Sequence, residues 1–206
     1  WGTSIAYEAK ADRSPVTEVD RGVERALREL IHQRHPDHGI IAEEFGNERA
    51  DAEWVWVIDP IDGTKSFITG VPLFVTLIGL LHRGEPVLGA IDQPILRERC
   101  VGNGTVTLFN GKPTRVRACS DLRNAVVTTS GMETIAGQPF ERGFMKLAAA
   151  SRFTRTWGDG YGYLLLATGR VDVMAEPILA PWDLLPLIAV LRGAGACWRH
   201  GWILAA

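Results

Sequence analysis

The residues best suited to chemistry are Asp59 and Asp62, two carboxylates at the end of the apolar run Trp54-Val-Trp-Val-Ile58 and just ahead of Gly63-Thr64. Such a run reads as a buried strand that delivers both acids to a cleft at its C-terminal end, with a turn or helix start behind them. A hard divalent cation takes carboxylate oxygens held on a fixed backbone. A phosphate takes the exposed N–H groups of a helix start. One short stretch can supply both.

Other apolar segments end or begin in acids. Glu43 and Glu44 follow Gly39-Ile-Ile-Ala42, and Asp183 lies in the first turn of an apolar helix that runs from Trp182 to Gly193. Paired glutamates are ordinarily solvated surface, but two neighbouring strands that both terminate in acids build a negative pocket. An oxygen-only ligand set without His or Cys selects Mg2+, Mn2+ or Ca2+ over zinc. Converging carboxylates resist burial unless a cation offsets them. Two or more Mg2+ ions can hold a phosphate, activate a water and stabilise the leaving oxygen, which points to metal-dependent phosphoester hydrolysis and leaves the substrate open.

The elements that must position these acids follow from the rest of the chain. Thr17, with Asp20 three residues on, is a helix N-cap in a capping-box arrangement. Val19, Val23, Ala26, Leu27, Leu30 and Ile31 then recur at helical spacing as an amphipathic face, and the helix stops near His35-Pro36. Asp20 has two readings, a helix cap or a carboxylate pointed into the site. Asn47 to Glu53 is a polar, mobile loop. Phe74–Leu81 and Val87–Ile91 form a hairpin, Arg97–Val101 a further strand, and Asn110-Gly111 marks a tight hairpin turn. Strands over Ala125–Thr129 and Val171–Ala175 and helices over Phe140–Ala150 and Tyr161–Thr168 complete the chain. Pro186 is expected to fit its helix because the first turn tolerates proline. The organisation expected is an N-terminal α+β lobe, residues 1–119, carrying most of the metal ligands, and a C-terminal α/β lobe, residues 120–206, carrying Asp183.

Composition removes other classes. The 206 residues carry a formal net charge of −2, with no Lys/Arg cluster to serve as a nucleic-acid footprint. No apolar stretch reaches the ~20 residues a membrane span needs. No signal peptide is visible at Trp1-Gly-Thr-Ser, and Cys100, Cys119 and Cys197 make no disulfide framework. Reduced, mostly buried thiols in a cytoplasmic protein are the expectation. His32, His35 and His38 read as a solvated helix end. No G-x-S-x-G, H-E-x-x-H or Walker A pattern occurs, and Gly158-Asp-Gly-Tyr-Gly162 follows no strand of a βαβ unit.

The motif Asp59-Pro-Ile-Asp-Gly-Thr64 after an apolar strand, with Glu43-Glu44 upstream and Trp182-Asp183 downstream, resembles the inositol monophosphatase family from about Lys10 to Trp202. Within it, Ser14-Pro-Val-Thr-Glu-Val-Asp20, Trp157-Gly-Asp-Gly-Tyr-Gly-Tyr163 and Val171-Asp-Val-Met-Ala-Glu-Pro177 resemble the histidinol-phosphatase branch. The resemblance implies an α/β fold, the layered αβαβα sandwich of sugar phosphatases, and dependence on two or three Mg2+ ions, with Mn2+ as the substitute. It implies that Glu43, Asp59 and the Ile61 carbonyl hold one metal and Asp59, Asp62 and Asp183 a second. Glu43 and Thr64 would handle the attacking water, with Asp20 linked to Thr64, and the main-chain N–H groups of Gly63 and Thr64 would receive the phosphate. The implied reaction is in-line attack of a metal-activated water on a small phosphorylated substrate, in a cytoplasmic homodimer with no nucleic-acid or membrane partner.

By the same resemblance, substrate choice would fall to Asp159, Glu176 and Arg155 beside Asp62 and Asp183. Two added acids suit an amine and an imidazole, as in L-histidinol phosphate, better than the neutral polyol of the alternative substrates, inositol-1-phosphate or another sugar phosphate. The competing reading of Asp159 is a cap for a helix starting at Tyr161.

Overall fold

The computed structural model describes residues 5–9, 15–199 and 202–205. Lys10 and Ser14, at the start of two stretches that carry the resemblance, lie outside the described residues. The chain opens with a short antiparallel pair, β1 (Glu8–Ala9) and β2 (Pro15–Val16), and enters helix α1 (Glu18–Arg34). Thr17 caps α1: its Oγ1 accepts from the Val19 N–H at 3.1 Å, and Asp20 Oδ2 reaches back to the Thr17 N–H at 2.8 Å.

The inward face of α1 differs from the one its apolar residues predict. Asp20, Glu24 and Ile31 are buried, whereas Val19 and Leu30 are exposed. The helix turns carboxylates toward the protein because those carboxylates find backbone partners there, which offsets the cost of burial.

A seven-stranded sheet follows, in spatial and sequence order: β3 (Gly39–Ala42), β4 (Trp54–Asp62), β5 (Val75–His82), β6 (Glu85–Gln93), β7 (Glu98–Gly102), β8 (Thr107–Phe109) and β9 (Lys112–Thr114). Helix α2 (Thr64–Ile68) interrupts it between β4 and β5. Only the β3–β4 pairing is parallel. Asn110 and Gly111 both take positive φ, 46° and 78°, in the turn between β8 and β9, the geometry a two-residue hairpin demands. Asn47 to Glu53 is pinned, contrary to its reading as a mobile loop: Glu48 exchanges backbone hydrogen bonds with Ile40 at 2.7 and 2.8 Å.

The rest of the chain builds a second, five-stranded sheet in the order β11-β10-β12-β14-β13. Its elements are β10 (Val126–Thr128), α3 (Glu141–Ala150), β11 (Phe153–Arg155), α4 (Asp159–Ala167), β12 (Val173–Ala175), α5 (Pro181–Ala194), β13 (Ala196–Arg199) and β14 (Trp202–Ala205). Ile31 of α1 packs with Ile40, Ala42 and Ile58 on one face of the large sheet. Leu164, Leu166, Leu187 and Val190 of α4 and α5 fill the other face against Leu77, Ile91 and Cys100. Phe144 of α3 covers the far side of the small sheet with Val127, Val173 and Ala175. The layers therefore run α, β, α, β, α, as expected.

Two features seat α5. Pro186 is the sixth residue of the helix, beyond the first turn to which the sequence assigned it. Its turn rests on Gly79 and Gly89, register partners on β5 and β6, where an added β-carbon would lie 2.9 Å from Pro186 Cα and 2.0 Å from Pro186 O respectively. Glycine is what lets the helix backbone lie directly on the sheet. Among the cysteines Cys100 alone is buried, its thiol pushed up to about 12 by that burial, while Cys197 is exposed; all three are free.

Candidate active site

The acids assemble from three directions. Because Ala42 and Ile58 are parallel register partners, Glu43 and Asp59 emerge together at the same end of β3 and β4. β4 does not stop at Asp59: it continues through a bulge to Asp62, the register shifting between the two. The Ile61 N–H donates to Asp59 Oδ1 at 3.0 Å, the Thr64 hydroxyl donates to the Ile61 carbonyl at 3.0 Å, and the Thr76 hydroxyl donates to the Pro60 carbonyl at 2.8 Å. A bulge re-aims side chains that a regular strand would send to opposite faces. Here it turns Asp59 and Asp62 toward one centre. Asp183 arrives from the first turn of α5, where its Oδ2 accepts the Ala180 N–H at 2.8 Å.

Asp59, Asp62 and Asp183 each present an oxygen, all within 4.8 Å of one another. Burial, then the charges of Asp62, Glu43 and Asp183, hold Asp59 well above the ordinary carboxylate range. Burial and the charges of Asp159 and Asp183 do the same for Asp62. Asp183 is pushed up to about 6, chiefly by burial and against the Ala180 hydrogen bond. Carboxylates this crowded favour protons or a cation, and the donors are all oxygens, so the residues fit a hard divalent metal. The Ile61 carbonyl, which accepts the Thr64 hydroxyl, has two lone pairs and so suits the same purpose.

Asp20 is 1% exposed, and its Oδ1 has no hydrogen-bond partner among the described residues. Its Oδ2 closes the helix cap on Thr17. The capping reading therefore holds, and a buried oxygen is left over. The Asp20–Thr64 link is not among the hydrogen bonds of the described residues, since the Thr64 hydroxyl is directed at Ile61. Gly63, at φ 87°, is the left-handed N-cap of α2, and the first N–H groups of that helix have no intrahelical acceptor.

Of the residues expected on the substrate side, Asp159 and Glu176 line, with Asp62, Ser130, Leu179 and Asp183, a cavity of about 160 Å3. Asp159 is not a cap: Gly158 holds that position and Asp159, at φ 50°, opens α4 with its N–H donated to Ser130 Oγ at 2.7 Å. Burial raises its pKa. Glu176, buried behind the same hydroxyl, accepts from Ser130 Oγ and is pushed up to about 7 by burial, with that hydrogen bond opposing. The glycines of Gly158-Asp-Gly-Tyr-Gly162 serve close packing: a β-carbon on Gly160 would lie 2.4 Å from Asp62 Oδ2, the atom that accepts the Gly160 N–H. Arg155 is not brought to this cavity. It is exposed on edge strand β11, with its guanidinium 4.9 Å from the Phe153 ring centre. A second cavity of about 220 Å3 adjoins the first at Asp159 and reaches Gly63, Thr64, Lys65 and Ser66; Lys65 Nζ meets Glu133 at 3.1 Å on its rim.

Sequence reasoning missed Ser130, Glu133, Lys65 and Glu24. Ser130 ends the strand segment Val126-Val-Thr-Thr129 as Glu43 ends its own, so the strand-end rule that found one could have found the other. Glu24 lies one turn after Asp20 on the same helix face, and only the apolar pattern drew attention away from it.

Known proteins resemble the chain along nearly its whole length. A model of the inositol monophosphatase family matches residues 1–201. The bifunctional phosphatase IMPL2 (chloroplastic) of Arabidopsis thaliana is 44% identical over 189 residues, covering 90% of this chain and 54% of that protein. A histidinol-phosphatase of Chlorobaculum parvum is 36% identical over 195 residues, covering 94% of this chain and 75% of its own. The structure of an inositol monophosphatase from Zymomonas mobilis superposes with a TM-score of 0.83 at 41% identity, covering 94% of this chain and 75% of that one. The chain thus spans about half of the first relative and three quarters of the other two.

Proposed function

The chain belongs to the inositol monophosphatase family of metal-dependent phosphoric monoester hydrolases, and from that membership and the site we propose that it hydrolyses L-histidinol phosphate to L-histidinol and phosphate, with Mg2+, in histidine biosynthesis in the cytoplasm. The observation that carries the reading is the continuity of the carboxylate centre with a cavity holding two further acids, Asp159 and Glu176.

In this reading Glu43, Asp59, Asp62, Asp183 and the Ile61 carbonyl hold the metal, as two or three ions. When bound, Mg2+ supplies charge neutralisation for the phosphate and lowers the pKa of a coordinated water. The protein's own groups do the rest. Glu43 accepts the proton of the attacking water. Thr64, whose hydroxyl hydrogen is committed to Ile61, keeps oxygen lone pairs with which to orient that water. Asp20 is proposed to accept the Thr64 hydroxyl hydrogen in the working enzyme in place of the Ile61 carbonyl, which that exchange frees for the metal. The N–H groups at Gly63 and Thr64 receive phosphate oxygens at the start of α2.

Residues 1–119 would form the lobe that supplies the phosphate end of the site, and residues 120–206 the lobe that supplies Asp183 and the organic end. Asp159 and Glu176 would face the amine and imidazole, with Arg155 at most a distant contributor from β11. A homodimer completes the proposal. No helix among the described residues is long and apolar enough to cross a membrane.

A second reading, hydrolysis of inositol-1-phosphate by the same machinery, is favoured by the 41% identity to the Zymomonas mobilis inositol monophosphatase. Parallel phosphate-release assays on the two substrates with Mg2+ decide between them. A clear preference for L-histidinol phosphate in kcat/KM is expected, and comparable or better turnover of inositol-1-phosphate overturns the assignment.

A further inference from the structure

We propose that Glu24 is a positioning residue for Glu43, a buried clamp that fixes the turn carrying the metal-site glutamate. The inference rests on the reading of Glu43 given above. Glu24 is 0% exposed on the inner face of α1. Its Oε2 accepts the Glu44 N–H at 2.7 Å and its Oε1 the Phe45 N–H at 3.1 Å. Arg28, one turn later on the helix, donates Nε to Glu24 Oε1 at 2.8 Å and Nη2 to the Gly46 carbonyl. Two helix side chains therefore hold the three consecutive residues that follow Glu43: Glu44 and Phe45 in its own turn and Gly46 just beyond.

The other side of Glu43 is held by β3, through the register of Ala42 with Ile58. Its backbone is thus fixed on both sides, by the sheet before it and by Glu24 after it. A buried ion pair is a poor device for stability alone, because desolvation offsets most of its attraction. It does set geometry, and partners that orient metal-ligating side chains are worth about 10–100-fold in metal affinity or activity.

The test uses Glu24→Gln and Glu24→Ala in the full chain. Amide hydrogen exchange of the metal-free protein reports the clamp without any turnover. Exchange at Glu44 and Phe45 is expected to quicken about tenfold or more in Glu24→Ala, with the α1 amides near Leu27 and Ile31 unchanged. Calorimetric titration with Mg2+ should show affinity falling about 10–100-fold in Glu24→Ala and less in Glu24→Gln, which keeps an acceptor oxygen. In turnover, kcat should fall while the KM for substrate stays within about twofold, and excess Mg2+ should restore part of the loss. Should Glu24→Ala not fold, the isosteric Gln variant decides by the same measurements. Unchanged exchange at Glu44 and Phe45, or faster exchange with Mg2+ affinity intact, overturns the inference. If the parent protein hydrolyses no phosphomonoester, the functional reading fails separately, and the exchange experiment still judges the clamp.

Discussion

Glu43 and Asp59 stand side by side because the residues just before them, Ala42 and Ile58, are partners in the one parallel pairing of the large sheet. A register slip of one residue would send one of the two acids to the opposite face. The third direction of the site, Asp183, comes from α5, so the spacing of the carboxylates depends on how that helix sits on the sheet.

Gly89→Ala tests the seat. The new methyl would lie 2.0 Å from Pro186 O, so α5 must lift or slide. A loss of roughly 1–3 kcal/mol in denaturant unfolding is expected, the usual cost of overpacking, together with weaker Mg2+ binding through displaced Asp183. Lower stability with unchanged Mg2+ affinity would show that Asp183 does not depend on this contact.

Asp159→Asn tests the proposed organic end of the cavity. Asparagine tolerates the positive φ of 50° at this position, so the substitution removes charge without backbone strain. The kcat/KM for L-histidinol phosphate should fall roughly tenfold or more, the scale of a hydrogen bond to a charged group. Turnover of a simple aryl phosphate should change little. Equal losses on both substrates would assign Asp159 a general role.

Much of this site was legible because strands and helices end in it. Asp59, Asp62, Glu43 and Asp183 each terminate or open an apolar segment, and apolar runs are what a sequence displays most clearly. What escaped was polar chemistry inside an apolar pattern. Val19 and Leu30 promised an inward face for α1, yet Asp20, already a candidate as cap or site carboxylate, shares it with the overlooked Glu24, because backbone N–H groups await both there. The bulge that continues β4 past Asp59 and the glycine row beneath Pro186 arise from contacts between distant segments, which no local pattern encodes. Arg155 was placed by proximity to Gly158 in the chain, and the edge strand carries it elsewhere.

His38 offers a pH test far from the carboxylates. The sequence marked it as solvated, but it is half-buried, accepts the Trp56 Nε1–H on Nδ1 at 3.0 Å, and stacks on His35 at 4.6 Å. Burial and then the neighbouring His35 lower its pKa, with Asp37 opposing. A folded pKa below the unfolded value of ~6.5 means the unfolded chain binds the extra proton first. Stability from this contact is therefore present above ~pH 6.5 and lost as pH falls through the folded pKa. Asp183 and Glu176, raised to about 6 and about 7, act in the opposite sense, so the comparison must be made against a matched variant. His38→Gln keeps an acceptor for Trp56 without titrating. Urea midpoints at pH 7.5 and 5.5 should show the parent losing more stability on acidification, or gaining less, than the variant. Parallel pH dependence in the two proteins would remove His38 from the account.

The most direct measurement pairs Mg2+ titration of the metal-free protein with phosphate release from L-histidinol phosphate, in the parent and in Asp59→Asn. Asp59 is 2% exposed and its carboxylate has Asp62, Glu43 and Asp183 as neighbours, so it is the acid on which the site depends most. The parent should bind Mg2+ and turn over only when it is supplied. Asp59→Asn should bind Mg2+ at least on the order of tenfold more weakly and lose turnover, while keeping its fold by circular dichroism. Full turnover by the chelator-treated parent, or retained turnover by a folded Asp59→Asn, would contradict the assignment of this carboxylate centre as a metal-dependent phosphatase site.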